Sequence, residues 1–258
     1  RMNLGIQDQL FLVCGASSGL GLAITHALVA EGAQVLAVAR TEAALHDLQQ
    51  LHPAQIETLC ADATEPATTA KVLEAIGKRR LHGALINAGG PPAKTTLETT
   101  LQDWDNAYHN LLRWKVGLTQ ALVPLMTPHR YGRLVFVESA SVKQPLENLV
   151  LSSALRMAVV GMVKTLSQEI AGTGVTLNVL APGSHNTPAI DRVYLKKSQQ
   201  TGEAIELVRQ KAQAQIPVGA LGEAADFASL AVWLLCPLSR YVTGQVYAVD
   251  GGSIKSSL

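Results

Sequence analysis

The sequence predicts an α/β fold in which a parallel sheet is wound on both faces by helices. Three observations carry this. Strand-like and helix-like patterns alternate from one end of the chain to the other. The strand-like runs are almost continuously apolar, as in sheets buried on both faces. The first run, LFLVC at 10–14, is followed by Gly15, Gly19 and Gly21 and then by helical apolar spacing, the order of a strand, a tight turn and a helix start.

The elements follow in order. A helix at 20–30 is followed by the strand QVLAVA at 34–39 and a helix at 41–51 with Thr41 as its cap. A strand at 56–61 precedes a helix from Thr64 to about 77, with Pro66 in the first turn, where proline is tolerated. The strand at 83–87 leads into a long helix at 100–126, ended by Pro128. The strand GRLVFVE at 132–138 and a second long helix at 149–171 come next, then a strand at 175–180. Residues 188–215 are polar and helical, like a lid; a helix at 223–235 and a strand at 245–249 close the chain. No repeat, low-complexity segment or linker breaks the series, so one domain spanning 1–258 is expected. With right-handed crossovers, ligands belong at the carboxyl ends of the strands near the switch point. That selects the loops after Val13, Ala39, Ala61, Asn87, Glu138 and Leu180.

Composition narrows the function. Apolar residues make up 48% of the chain, enough for a large core. A net charge of +1 without a basic run argues against nucleic acid or an anionic membrane as partner. The three cysteines, Cys14, Cys60 and Cys236, are far apart and form no CxxC or Cys/His cluster, so no metal is expected and buried free thiols are. No leader or uninterrupted membrane-spanning run is visible, which points to the cytoplasm.

The selected loops carry nucleotide chemistry. Gly15, Ser17, Ser18, Gly19, Leu20 and Gly21 would bring backbone N–H groups to a helix N-terminus, where partial positive charge suits a pyrophosphate. Arg40 and Thr41 follow the second strand, where a site for NAD usually has an acid. A carboxylate would repel a 2′-phosphate, whereas a guanidinium binds it, so NADP(H) is the expected cofactor. Asp62, followed by Ala63, either accepts from the adenine amino group or caps the helix at Thr64. Asn87, Ala88 and Gly89 permit a close approach to a ribose or diphosphate, or form a tight turn. Pro182 and Gly183 break the sixth strand, and Thr187 can bond a carboxamide or phosphate. His185, the only histidine in these loops, can donate a proton near neutral pH.

Together these residues resemble the short-chain dehydrogenase/reductase superfamily over nearly the whole chain. The signatures run in order: Cys14-Gly15-Ala16-Ser17-Ser18-Gly19-Leu20-Gly21, Asn87-Ala88-Gly89, Pro182-Gly183 with Thr187, and Tyr241-Val242-Thr243-Gly244-Gln245 leading to Val249-Asp250-Gly251-Gly252. The last stretch resembles the ending of bacterial 3-oxoacyl-carrier-protein reductases. The resemblance implies a Rossmann-type single domain, NAD(P)(H) binding, a small-molecule substrate, and a homotetramer or dimer built through the two long helices.

The catalytic region departs from the pattern. Members usually carry an Asn in the first long helix, a Ser after the fifth strand and a Tyr-x-x-x-Lys pair in the second long helix. Ser139 falls at the Ser position, but Leu111, beside Asn110, falls at the Asn position, and Ser152 and Arg156 fall at the Tyr and Lys positions. A tyrosine starts at about 10, and lowering it to about 7 takes about 4 kcal/mol, which a neighbouring lysine and the cofactor charge can supply. A serine hydroxyl starts far higher, and arginine cannot relay a proton in this range. The loop Ser139-Ala140-Ser141-Val142-Lys143 would lie beside the nicotinamide. Ser139 then orients a carbonyl, Ser141 is a further candidate in the same loop, and Lys143 or His185 polarises the carbonyl or donates the proton. The sequence resembles a minor group of reductase-like members with a Ser-Val-Lys segment followed by a helix without Tyr. Two functions follow: an NADPH-dependent carbonyl reductase with a rearranged acid, or a nucleotide-binding sensor or subunit without turnover.

Overall fold

The computed structural model describes residues 3–257. Its strands are β1 (Leu10–Cys14), β2 (Gln34–Ala39), β3 (Ile56–Cys60), β4 (Leu81–Ile86), β5 (Gly132–Val137), β6 (Val175–Pro182) and β7 (Val246–Val249). All pair in parallel, in the order β3-β2-β1-β4-β5-β6-β7. This is the Rossmann-like single domain the sequence predicts.

Side chains alternate across the sheet, so each strand feeds two cores. Phe11, Val13, Val135 and Leu180 point to one face, which α1 (Gly19–Ala30), α2 (Glu42–Leu51) and α9 (Ala224–Leu235) cover with Ile24, Leu28, Leu45 and Phe227. Leu12, Leu134, Phe136 and Leu177 point to the other, beneath α3 (Pro66–Ile76), α5 (Trp114–Met126) and α6 (Val150–Glu169). α6 is long and apolar enough to cross a membrane by length and composition. It instead lays Val159 and Val163 on the sheet and buries the charged Arg156.

Three boundaries differ from the sequence pattern. The first long helix is not continuous: α4 (Leu101–Ala107) and α5 are joined by a π-helical segment, Tyr108–Arg113. Hydrophobic spacing does not register the change from 3.6 residues per turn over so short a stretch. Pro124 lies inside α5, and Pro128 sits in a short 3₁₀ turn rather than at the helix end itself. Residues 188–215 hold two helices, α7 (Pro188–Thr201) and α8 (Ile205–Ala214), with their own small core of Tyr194, Val208, Ile216 and Leu221. Of the cysteines, Cys14 and Cys236 are buried free thiols and Cys60 is exposed.

Candidate functional site

The chain leaves β1 toward β2 on one side and returns to β4 on the other, so the switch point lies between β1 and β4. A cavity of about 500 Å³ opens there, beyond the strand ends. Its floor is made by close backbone approach. Gly15 has φ +71°, and a Cβ on it would stand 2.9 Å from Asn87 Nδ2. The start of α1 packs so tightly that a Cβ on Gly21 would come within 2.0 Å of the Gly15 carbonyl oxygen. The first turn of α1 has no intrahelical acceptor for its N–H groups, and these face an open cleft. A glycine cradle under unpaired N–H groups suits an anionic diphosphate.

Of the residues predicted to hold a nucleotide, Gly15, Ser17, Ser18, Gly19, Leu20, Arg40, Thr41, Asp62, Ala63, Asn87, Ala88, Gly89 and Thr187 line this cavity. Gly21, Pro182 and Gly183 do not. Gly21 seats α1 on the β1 turn, and a Cβ on Gly183 would stand 2.7 Å from Asp250 Cβ, so both are packing glycines, while Pro182 ends β6. Val38, Ala39, Ala61, Thr64, Gly90, Asn110, Pro188, Ala189 and Arg192 complete the lining. Arg192, exposed on α7, is a cation the loop reading missed; its only signal is a charge within the first turns of a helix that follows a cofactor-like loop.

At the outer end, Arg40 is 78% exposed and its Nη1 stands 3.8 Å from Asp62 Oδ2. Asp62 Oδ1 accepts from the Thr64 backbone N–H at 2.9 Å and the Thr64 hydroxyl at 2.8 Å. The carboxylate is thus held to its own turn, and the guanidinium remains available to the cavity. Thr41 is the N-cap residue of α2, but its side chain makes no capping bond.

Behind the part of the wall made by Gly90 the structure holds a buried charge cluster that the sequence reading did not assemble. Glu138, at the end of β5, is fully buried. Its Oε1 accepts from Lys115 Nζ on α5, and its Oε2 from Arg156 Nη1 on α6 at 3.0 Å. Arg156 Nη1 also reaches the Val137 carbonyl oxygen at 3.4 Å. Burial pulls the Lys115 ammonium down to about 8, and the Glu138 carboxylate limits the fall. Lys115 sits on the apolar stripe of Leu111, Leu118 and Leu122. A lysine at helical register among buried leucines, and a glutamate ending a buried strand, were the available signals. The π-helical segment buries Leu111 and brings Asn110 to the cavity wall; the Asn110 carbonyl oxygen accepts from Trp114 Nε1 at 2.9 Å.

The loop after β5 turns through a 3₁₀ segment. Ser139 precedes it, and its hydroxyl oxygen accepts from the Ser141 N–H at 3.1 Å, leaving the Ser139 O–H to donate. Ser141 is buried, and its hydroxyl pairs with that of Ser152 at 3.2 Å. Lys143 ends the 3₁₀ turn half-buried. Ser139, Ser141 and Lys143 lie behind the cavity wall and are not among the residues that line it, and the structure overturns the expectation for His185, which is enclosed elsewhere. Its ring is buried edge-on to Phe227 at 5.3 Å, its Nδ1 bonds the Gly183 carbonyl oxygen at 3.1 Å, and Gly222 closes the other edge. It pins the loop before α7 to the segment before α9. None of the five tyrosines lines the cavity.

Comparison with known proteins decides the family. The family described as enoyl-(acyl carrier protein) reductase matches residues 15–253. The chain belongs to the short-chain dehydrogenase/reductase superfamily. Its relatives include the 3-oxoacyl-(acyl-carrier-protein) reductase of Thermotoga maritima, 28% identical over 254 residues, covering 96% of this chain and 99% of the relative. The corresponding reductase of Salmonella typhimurium is 30% identical over 253 residues, covering 96% and 98%. Among solved structures, the L-sorbose reductase of Gluconobacter frateurii, complexed with NADPH and L-sorbose, superposes with a TM-score of 0.92 at 25% identity, covering 99% of this chain and all of that one. The relatives of this short-chain dehydrogenase/reductase are reductases, and the L-sorbose reductase among its structural neighbours holds NADPH.

Proposed function

We propose that this protein is an NADP(H)-dependent oxidoreductase that reduces a carbonyl compound through a rearranged set of side chains. The observation that carries the reading is a guanidinium, Arg40, at the outer end of a glycine-floored cavity, where a site for NAD would hold an acid. Its charge favours the 2′-phosphate, and Arg192 adds a second cation toward the diphosphate. The L-sorbose reductase structure, with its NADPH, supports the same cofactor. Asn87, Ala88, Gly89 and Thr187 face the remaining length of the dinucleotide.

When bound, the cofactor supplies the hydride. This chain's residues orient the carbonyl and supply charge. Ser139 donates its hydroxyl hydrogen to the carbonyl oxygen, Ser141 and Ser152 hold the loop in place, and Lys143 gives the proton. A 3-oxoacyl or similar ketone is the substrate class suggested by the carrier-protein reductases. Leu125 on α5 and Met157 on α6 stand exposed, which suits a homo-oligomer formed through these helices.

The second reading, a cofactor-binding protein without turnover, has its own support: Ser152 and Arg156 stand where a tyrosine and a lysine are expected, and no tyrosine lines the cavity. A screen of NADPH oxidation over ketones, 3-oxoacyl thioesters and quinones separates the two. The same screen includes short 2- and 3-oxo acids. Steady turnover of any of these compounds well above background supports the enzyme. Tight NADPH binding with no turnover of any compound, the oxo acids included, contradicts it and leaves the sensor.

A further inference from the structure

Arg156 is only half used by the protein. Its Nη1 serves Glu138 and the Val137 carbonyl, but its Nε is buried without a hydrogen-bond partner. Nη2, on the same edge of the guanidinium as Nε, stands 3.7 Å from where a Cβ on Gly90 would be, and no other heavy atom comes within 4 Å of that point. Gly90 lines the cavity. The missing side chain therefore leaves Nη2 uncovered on the Gly90 side, where the cavity wall is, while Nε beside it is shielded and unpaired. Three residues earlier on α6, Ser153 carries a second buried hydroxyl without a partner; residues three apart on a helix are neighbours.

Charge points the same way. Lys115 and Arg156 share one carboxylate, so the buried cluster carries an excess of one positive charge when both cations are protonated. Such an excess is costly in a protein interior, and an arriving anion would relieve it. A free Nε–Nη2 edge offers two parallel N–H donors, the fork that matches a carboxylate.

We propose that Arg156 binds a carboxylate of the substrate, so that the ketone reduced is a short 2- or 3-oxo acid rather than a neutral ketone or thioester. This deepens the reductase reading and rests on it. Glu138 and Lys115 act as positioning residues: they fix the Nη1 end and leave the other edge for the ligand. Ser139, the next residue after Glu138, places a carbonyl-orienting hydroxyl beside the same strand end.

The test uses the full chain, with acetoacetate and 2-oxobutanoate as probes, each against its methyl ester. Binding is measured by calorimetry with and without NADP⁺, so that no turnover is required. The acids are expected to bind at least tenfold tighter than their esters. Arg156→Gln should erase that difference while leaving NADPH affinity within twofold, and Arg156→Lys, which keeps charge but loses the fork, should retain only part of it. Equal binding of acid and ester by the unmodified protein overturns the proposal, and this comparison holds even where a variant fails to fold. Survival of the acid preference in Arg156→Gln overturns it as well. A large loss of NADPH affinity in that variant overturns it by assigning the guanidinium to the cofactor. Failure of the unmodified protein to bind NADPH is a separate result, which counts against the reductase reading.

Discussion

The two ends of the cavity are built by different means. The outer end is backbone and short loops: a glycine turn, the start of α1, and exposed side chains such as Arg40 that touch little else. Behind the wall of the inner end, side chains from three places lock together out of water: Lys115 from α5, Glu138 just after β5 and Arg156 from α6. Backbone sites tolerate change at the surface and fail when a Cβ intrudes. Side-chain clusters fail when one partner is lost. The difference also separates tasks: the outer end is suited to hold a cofactor, and the inner end sets what chemistry is possible there.

The sharpest way to break this division is to alter the inner loop and look for effects outside it. Lys143→Ala should lower turnover by about a hundredfold to ten-thousandfold, the range for a lost proton donor, while NADPH affinity stays unchanged; unaltered turnover would remove Lys143 from the reaction. Glu138→Ala leaves two buried cations without their carboxylate and should cost about 3–5 kcal/mol. Thermal unfolding should then fall by about 10 °C. A shift of a degree or two would mean the cluster is solvated and not a structural unit.

Smaller effects probe the outer end. Gly21→Ala forces a methyl group against the Gly15 carbonyl and should destabilise by about 1–3 kcal/mol. Gly89→Ala, whose Cβ would meet nothing within 4 Å, should be nearly neutral in an unfolding titration. Equal losses at both would show that the floor of the cavity yields more easily than its packing suggests. Arg192→Ala should weaken NADPH and NADH alike by about fivefold, the net value of one ordinary hydrogen bond from an exposed side chain. A loss confined to NADPH would move Arg192 from the diphosphate to the 2′-phosphate.

The same contrast explains what was legible in the sequence. The glycines after β1, the apolar strands and the loop after β4 are local patterns, and each stood where its spacing put it. The parallel sheet covered on both faces followed from the alternation of elements; the order of its strands did not. Glu138, Lys115 and Arg156 lie up to 41 residues apart, as the numbering shows, and nothing local announces that they meet. Lys115 was hidden inside a helix that otherwise read as ordinary core. His185 misled for the converse reason: a histidine in a loop at a strand end looks available, but Phe227 and Gly222, distant in sequence, enclose it. Gly183 carried a cofactor-like signature and proved to be the contact point for Asp250. Proximity across the fold, not residue type, decided these cases.

Direct titration with NADPH and with NADH, for the unmodified protein and for Arg40→Ala, tests the central claim. The unmodified protein should bind NADPH at least tenfold more tightly than NADH, and Arg40→Ala should weaken NADPH by about ten- to a hundredfold, a loss of about 1.4–2.7 kcal/mol, with NADH unmoved. Equal affinity for the two cofactors, or an equal loss for both in the variant, would contradict the assignment of Arg40 to the 2′-phosphate.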